Sequence, residues 1–146
     1  MSDRVLILTA GFGEGHNAAA RALAVAIAAQ RGPEAVQVVD VFALAAPRLN
    51  ALARRGYIEM IHRAPALWNA TYRWIDRSGS PARIRWWLRR ELHLLREIVQ
   101  RERPAAICST YPVYASLLEG LALAGERLPP HFDIVTDSIS LNAIWW

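Results

Sequence analysis

The sequence has no lysine, one cysteine, and no apolar run long enough to span a bilayer. Each absence excludes something. Without lysine there is no Gly-Lys-Ser/Thr, so a nucleotide-binding P-loop is ruled out. Cys108 alone cannot close an internal disulfide, which makes a reducing, cytoplasmic compartment the default, and its apolar surroundings read as those of a small core residue. The longest apolar helix candidate, Ala22 to Ala29, is flanked by Arg21 and Arg31 and falls well short of the roughly 20 residues a membrane span needs. Ser2-Asp3-Arg4 precedes an apolar stretch too short for the core of a signal peptide. The histidines lack the spacing of a ligand cluster, so nothing visible requires a metal.

At 146 residues and 53% hydrophobic, the chain is long enough for one domain with a sizeable core. All 17 basic residues are arginines, against 13 acids, for a formal charge of +4. A basic surplus suits phosphate groups, nucleic acid or an anionic membrane surface. No recognised nucleic-acid motif accompanies it, and nucleic acid is not an expected partner.

One stretch organises the rest. Val5 to Ala10 is an apolar, partly β-branched run suited to a parallel strand covered on both faces. Gly11-Phe12-Gly13-Glu14-Gly15-His16 follows as a glycine-rich turn, and Asn17-Ala18-Ala19-Ala20 begins a helix predicted to run from His16 to about Gln30, before Gly32-Pro33. Glycine in the turn permits positive φ and close approach of another molecule, and the new helix's free N–H groups favour an anion such as phosphate. Alternatively the turn is only a tight connection between strand and helix. Gly11 and Gly13 fit the first two positions of the dinucleotide fingerprint, but His16 stands where its third glycine belongs. A neutral imidazole at that helix start can accept a proton from a substrate hydroxyl.

The run Gly13-Glu14-Gly15-His16-Asn17-Ala18-Ala19-Ala20 resembles the Gly-x-Gly-His-x-x-Ala signature of the monogalactosyldiacylglycerol synthase and processive diacylglycerol glucosyltransferase family. These are two-domain GT-B glycosyltransferases whose N-terminal domain meets the lipid acceptor and whose C-terminal domain binds the UDP-sugar. The resemblance implies that His16 is the catalytic base.

Further along, Val36 to Val41 reads as the second strand of a right-handed βαβ unit. Asp40 closes it, either touching a ribose or acceptor hydroxyl or capping the next helix. From Ala43 to Asp76 helical pieces are broken by Pro47 and Pro65, with arginines interleaved among Tyr57, Trp68, Tyr72 and Trp74. Tyr57 to Tyr72, with Pro65, Leu67-Trp68 and Tyr72, resembles the family insertion that helps form the acceptor cleft and the membrane-facing surface. A long helix is predicted from Pro81 to about Arg101, with Ile84, Leu88, Leu92, Leu95 and Val99 as its buried stripe. Arg83, Trp86, Arg89 and Arg90 suit a lipid headgroup layer, or else form a solvated charged face with Trp87 in the core.

Ala105 to Thr110 is the next strand, followed by a short helix opened by Tyr111-Pro112 and running to about Leu123. Phe132 to Asp137 is another strand ending at the same edge as the glycine loop. The family places Ser-Thr-His-Pro where this chain has Ser109-Thr110-Tyr111-Pro112, and Thr-Asp…His-x-x-Trp where it has Thr136-Asp137…Asn142…Trp145. Asn142 can hydrogen-bond an acceptor hydroxyl but cannot carry a proton as histidine does. Asp137 either orients His16 or the acceptor, or is part of a structural turn.

These readings give an α/β fold, a Rossmann-like parallel sheet with helices on both faces, forming the N-terminal half of a GT-B enzyme. Residues 1–146 are expected to be a single acceptor-binding domain. The resemblance implies that Gly11, Gly13, Gly15 and Asn17 form its acceptor and phosphate loop, His16 and Asp137 its catalytic pair, and Thr110, Tyr111 and Asn142 its acceptor pocket. No cofactor is implied beyond the UDP-sugar co-substrate. The donor site is expected from a C-terminal domain or a partner subunit of a split transferase, Trp145 and Trp146 hinting at packing against something absent. The expected location is peripheral, at the inner face of the cell membrane. The competing class is a non-catalytic module that binds nucleotide or membrane lipid.

Overall fold

Strand β1 (Val5–Leu8) has no polar face, and all four of its residues are buried. Such a strand needs cover on both sides. In the computed structural model, which describes residues 3–63 and 85–136, it receives that cover at the centre of a four-stranded sheet of order β2-β1-β3-β4. Its partners are β2 (Val36–Val39), β3 (Ala106–Ser109) and β4 (His131–Asp133), and every pairing is parallel.

Side chains alternate across the sheet and divide the core in two. Val5 and Ile7 join Cys108 beneath helix α1 (Glu14–Arg31), which sets Ala20, Leu23, Ala24 and Ile27 against them. The helix stops at Gly32, whose φ of 91° is open to glycine and whose N–H bonds back to Ala28. On the other face Leu6, Leu8 and Ile107 meet three helices: α2 (Val41–Ala45), α4 (Arg89–Glu102) and α5 (Val113–Leu123). Helix α3 (Pro47–Arg63) follows α2 with Pro47 at its start, where the missing N–H costs nothing. Burying each large aliphatic side chain contributes about 1.5–3 kcal/mol; Leu6, Ile7, Leu8, Leu95, Ile107, Leu117 and Leu121 are fully buried. Together these layers make the fold Rossmann-like, with helices on both faces of a parallel sheet.

Two predicted elements change most in extent. The long helix expected from Pro81 is interrupted at Leu88, whose backbone (φ −97°, ψ 28°) leaves the helical region before α4 begins. Ahead of that turn Arg85 reaches α5, where it pairs with Glu119 at 2.8 Å. It crosses α5 at Gly120, where a Cβ would sit 2.5 Å from its Cδ. Leu92, Leu95 and Val99 do line the buried stripe, joined by Ile98 and by Glu91, whereas Trp87 is 75% exposed and no part of the core. Strand β4 spans His131 to Asp133 rather than Phe132 to Asp137. Its last bond to β3, Ile134 N–H to the Ser109 carbonyl at 2.7 Å, ends where β3 ends, and the chain then crosses toward α1. Ile84, Pro65, Leu67, Trp68, Tyr72, Trp145 and Trp146 lie outside the described residues.

Candidate active site

In an all-parallel sheet every strand delivers its following loop to the same edge. The chain leaves β1 toward β2 on one side and finds β3 on the other, so a crevice opens between the loops after β1 and β3, where ligands of open α/β sheets bind. His16 comes from the first turn of α1, which follows β1, Thr110 from the loop after β3, and Thr136 from that after β4. These three meet. His16 Nδ1 lies 2.6 Å from the Thr110 carbonyl oxygen and 2.7 Å from Thr136 Oγ1. A carbonyl only accepts, so Nδ1 carries a hydrogen and donates it to Thr110, with the Thr136 oxygen as a second acceptor of the same N–H. In the neutral imidazole Nε2 is then the basic nitrogen. Tyr111 packs its ring edge-on to the imidazole, 5.1 Å between centroids.

The glycine loop divides its work. Gly11 N–H donates to Asp40 Oδ2 at 2.9 Å, and Ala43 N–H donates to Asp40 Oδ1 at 2.9 Å. Asp40 therefore caps α2 and ties the β1 loop to the β2 loop, with both carboxylate oxygens engaged by backbone. Of the three loop glycines only Gly13 takes positive φ, 133°, at the N-cap of α1. The glycine-rich turn is shorter than the Gly11 to His16 read from sequence: Gly15 sits in the first helical turn, where a Cβ would meet nothing within 4 Å. Among the described residues no side chain caps the N-terminus of α1, where Gly13 is the N-cap. Asn17 is held from behind, its Oδ1 accepting from the Thr9 hydroxyl at 3.1 Å.

Thr110 is fully buried and offers its backbone carbonyl. Tyr111 belongs to an aromatic wall: it stacks on Phe12 at 5.9 Å and meets Phe42 edge-on at 5.6 Å. Beneath it the buried Tyr114 donates its hydroxyl hydrogen to the Thr9 carbonyl at 2.8 Å and accepts from Val41 N–H at 3.1 Å. Burial pushes that phenol well above its ordinary range. Phe12, Phe42 and Tyr114 were not among the residues singled out from sequence, and Thr136 was quoted there only as part of the Thr-Asp motif, with no role of its own. Only the aromatic character of the first three is visible there, and their convergence depends on the topology.

A second polar group flanks the site. Ser109 and Asp133 are register partners on β3 and β4, and the Ser109 hydroxyl donates to Asp133 Oδ1. His131 Nε2 lies 3.0 Å from Ser109 Oγ and 3.2 Å from Asp133 Oδ1. Burial lowers the imidazole's affinity for a proton, against the opposing pull of Asp133. Burial likewise pushes the Cys108 thiol up.

On the outer surface Trp86 is 62% exposed, with the Arg89 guanidinium 5.8 Å from its ring centroid, a cation–π geometry. Trp87 packs edge-on against Trp86, and Arg90 is exposed beside them. Arg83, Asp137 and Asn142 lie outside the described residues. Among the described residues no cluster of His, Cys, Asp or Glu side chains could hold a metal ion, and no helix is long and apolar enough to cross a membrane.

Fold and site together define a Rossmann-like domain with an oriented imidazole at the topological switch point. The chain belongs to the monogalactosyldiacylglycerol (MGDG) synthase family, whose sequence profile matches residues 16–146. Over 144 residues it is 27% identical to a processive diacylglycerol beta-glucosyltransferase of Bacillus cytotoxicus and 26% identical to those of Bacillus cereus and Bacillus mycoides. Each match covers 99% of this chain and 36% of the relative, so the chain spans about a third of the length of the curated relatives it matches. No solved structure matches it significantly.

Proposed function

We propose that the chain is the acceptor-binding half of a glycosyltransferase that moves a hexose from a UDP-sugar to diacylglycerol or a related membrane lipid. The observation that carries this reading is the orientation of His16, with Nδ1–H held by two oxygens and Nε2 left as the base. In the reaction His16 Nε2 takes the acceptor's hydroxyl proton as that oxygen attacks the anomeric carbon and the sugar's bond to UDP breaks. The resulting imidazolium keeps its Nδ1–H on the Thr110 carbonyl and the Thr136 hydroxyl, which stabilise the positive charge. The aromatic wall of Phe12, Phe42 and Tyr111 supplies an apolar side for the lipid acceptor, with Asn142 hydrogen-bonding its hydroxyl and Asp137 helping to orient the base. The uncapped start of α1, at Gly13, Gly15 and Asn17, faces the donor's phosphates, and the remainder of the donor site comes from a C-terminal domain or a partner subunit.

The exposed Trp86, with Arg83, Arg89 and Arg90, forms the surface that meets the inner face of the cell membrane, the indole half immersed and the guanidinium groups on lipid phosphate. In the complete enzyme, His16→Ala lowers turnover by about 10²–10⁴-fold while the fold is retained. Normal activity in that variant removes His16 from the mechanism. For the membrane face, sedimentation with anionic vesicles is the check. Binding fades as salt rises, and Trp86→Ala with Arg89→Ala weakens it, whereas indifference to vesicles removes the membrane role.

A further inference from the structure

The residues that hold the imidazole lie far from it in the sequence. Thr136 lies 120 positions from His16, and β4 is the edge of the described sheet, so something must hold its end in place for a hydroxyl to reach Nδ1 at 2.7 Å. The Ser109, His131 and Asp133 group does this. His131 and Asp133 are two apart on β4 and share a face, and Ser109 faces them from β3. With His131 neutral, its Nε2–H donates to the Asp133 carboxylate and the Ser109 oxygen while the Ser109 hydroxyl donates to that carboxylate. These contacts tie β3 to β4 and fix the spacing of the two strand ends. The Ile134 N–H bond to the Ser109 carbonyl extends that fastening one residue further. Only Ile134 and Val135 then separate Asp133 from Thr136.

We propose that Thr136 is a positioning residue for His16, delivered by the Ser109–His131–Asp133 latch, and that its oxygen adds to the hold of the Thr110 carbonyl on the Nδ1–H, so that Nε2 stays basic. The proposal rests on the reading of His16 as the base. Thr136 touches no reacting atom. It acts by sharing the Nδ1–H with the Thr110 carbonyl, a bond that strengthens as the ring becomes cationic. Threonine to valine keeps the shape and removes the oxygen.

The test has two readouts. In this chain labelled with ¹⁵N-histidine, long-range ¹H–¹⁵N spectra at a pH where the imidazoles are neutral report the His16 tautomer directly. The expected result is the Nδ1–H form in the unaltered chain, a several-fold shift toward the Nε2–H form in Thr136→Val, and return to the Nδ1–H form in Thr136→Ser. In the complete enzyme kcat falls about tenfold in Thr136→Val, the loss expected for one charge-assisted bond. KM stays within about twofold, because the bond matters most as charge develops, and Thr136→Ser restores kcat. An unchanged tautomer in Thr136→Val overturns the proposal, whatever happens to kcat. Failure of Thr136→Ser to restore it does so too. A tautomer shift with unchanged kcat leaves Thr136 as the positioning residue and overturns instead the reading of His16 as the base, which His16→Ala checks independently. For the latch, Asp133→Asn in a chain of unchanged circular dichroism shifts the His16 tautomer as Thr136→Val does. If it leaves His16 as in the unaltered chain, the latch is overturned.

Discussion

The phenol of Tyr114 joins the end of β1 and the start of α2 to α5 without reaching solvent, through Thr9 and Val41. Tyr114→Phe keeps the ring and leaves a buried carbonyl and a buried N–H without partners, a cost of about 1–3 kcal/mol. Urea denaturation reads this as a lower midpoint at unchanged slope; an unchanged midpoint means that the hydroxyl adds nothing. His131 gives a second expectation. Its native proton affinity is depressed from 6.5 by burial, so the unfolded chain takes up the proton first. That contribution to stability is full above the ordinary histidine range and is lost as pH falls through about 6.5 toward the lower native value. Denaturation midpoints measured across that window decline with acid, and His131→Gln flattens the decline. At this scale the sequence was partly legible. His16 and Asp40 stand beside glycine and strand signals that locate them. Tyr114 sits in an apolar helix with partners 73 and 105 positions away, and no local pattern marks it.

Helix α1 makes the contrast between two glycines testable. Gly13 holds φ 133° and ψ 138°, a conformation that side chains rarely adopt, and Gly13→Ala destabilises by about 1–3 kcal/mol. Gly15 has ordinary helical geometry and open space around it, and Gly15→Ala stabilises the fold by up to about 1 kcal/mol. Thermal melting of the two variants is expected to move in opposite directions; equal losses would mean that the loop is packed at both positions. Elements themselves were legible where a period or a stop signal was strong, as in α1 with Gly32 beyond it. The interruption at Leu88 was not. Leu88, Leu92 and Leu95 keep their helical spacing across it, so the apolar stripe is blind to a turn that the Arg85 contact with α5 accompanies. The short extent of β4 was hidden for a related reason: Ile134 and Val135 look like strand residues, but their neighbouring strand has already ended at Ser109.

For the molecule as a whole, parallel order explains why residues far apart in the sequence could be placed at one edge of the sheet. Once the strands were read as parallel, the residues at their carboxyl ends had to share one edge, whatever the connections between them. Which of those residues touch was not readable, because contact depends on loop paths of a few residues.

The order β2-β1-β3-β4 also has a consequence in time. β1 meets β2 about thirty residues later in the chain, but its other neighbour, β3, lies about a hundred residues away. At about 5–20 residues per second on the ribosome, the β1–β2 unit waits roughly 4–14 s between the emergence of Val39 and that of Ser109. Throughout that interval the most apolar strand of the sheet has one bare edge, a natural target for a chaperone. Thr136 is made 120 residues after His16, so the imidazole gains its second acceptor only after these four strands have been made.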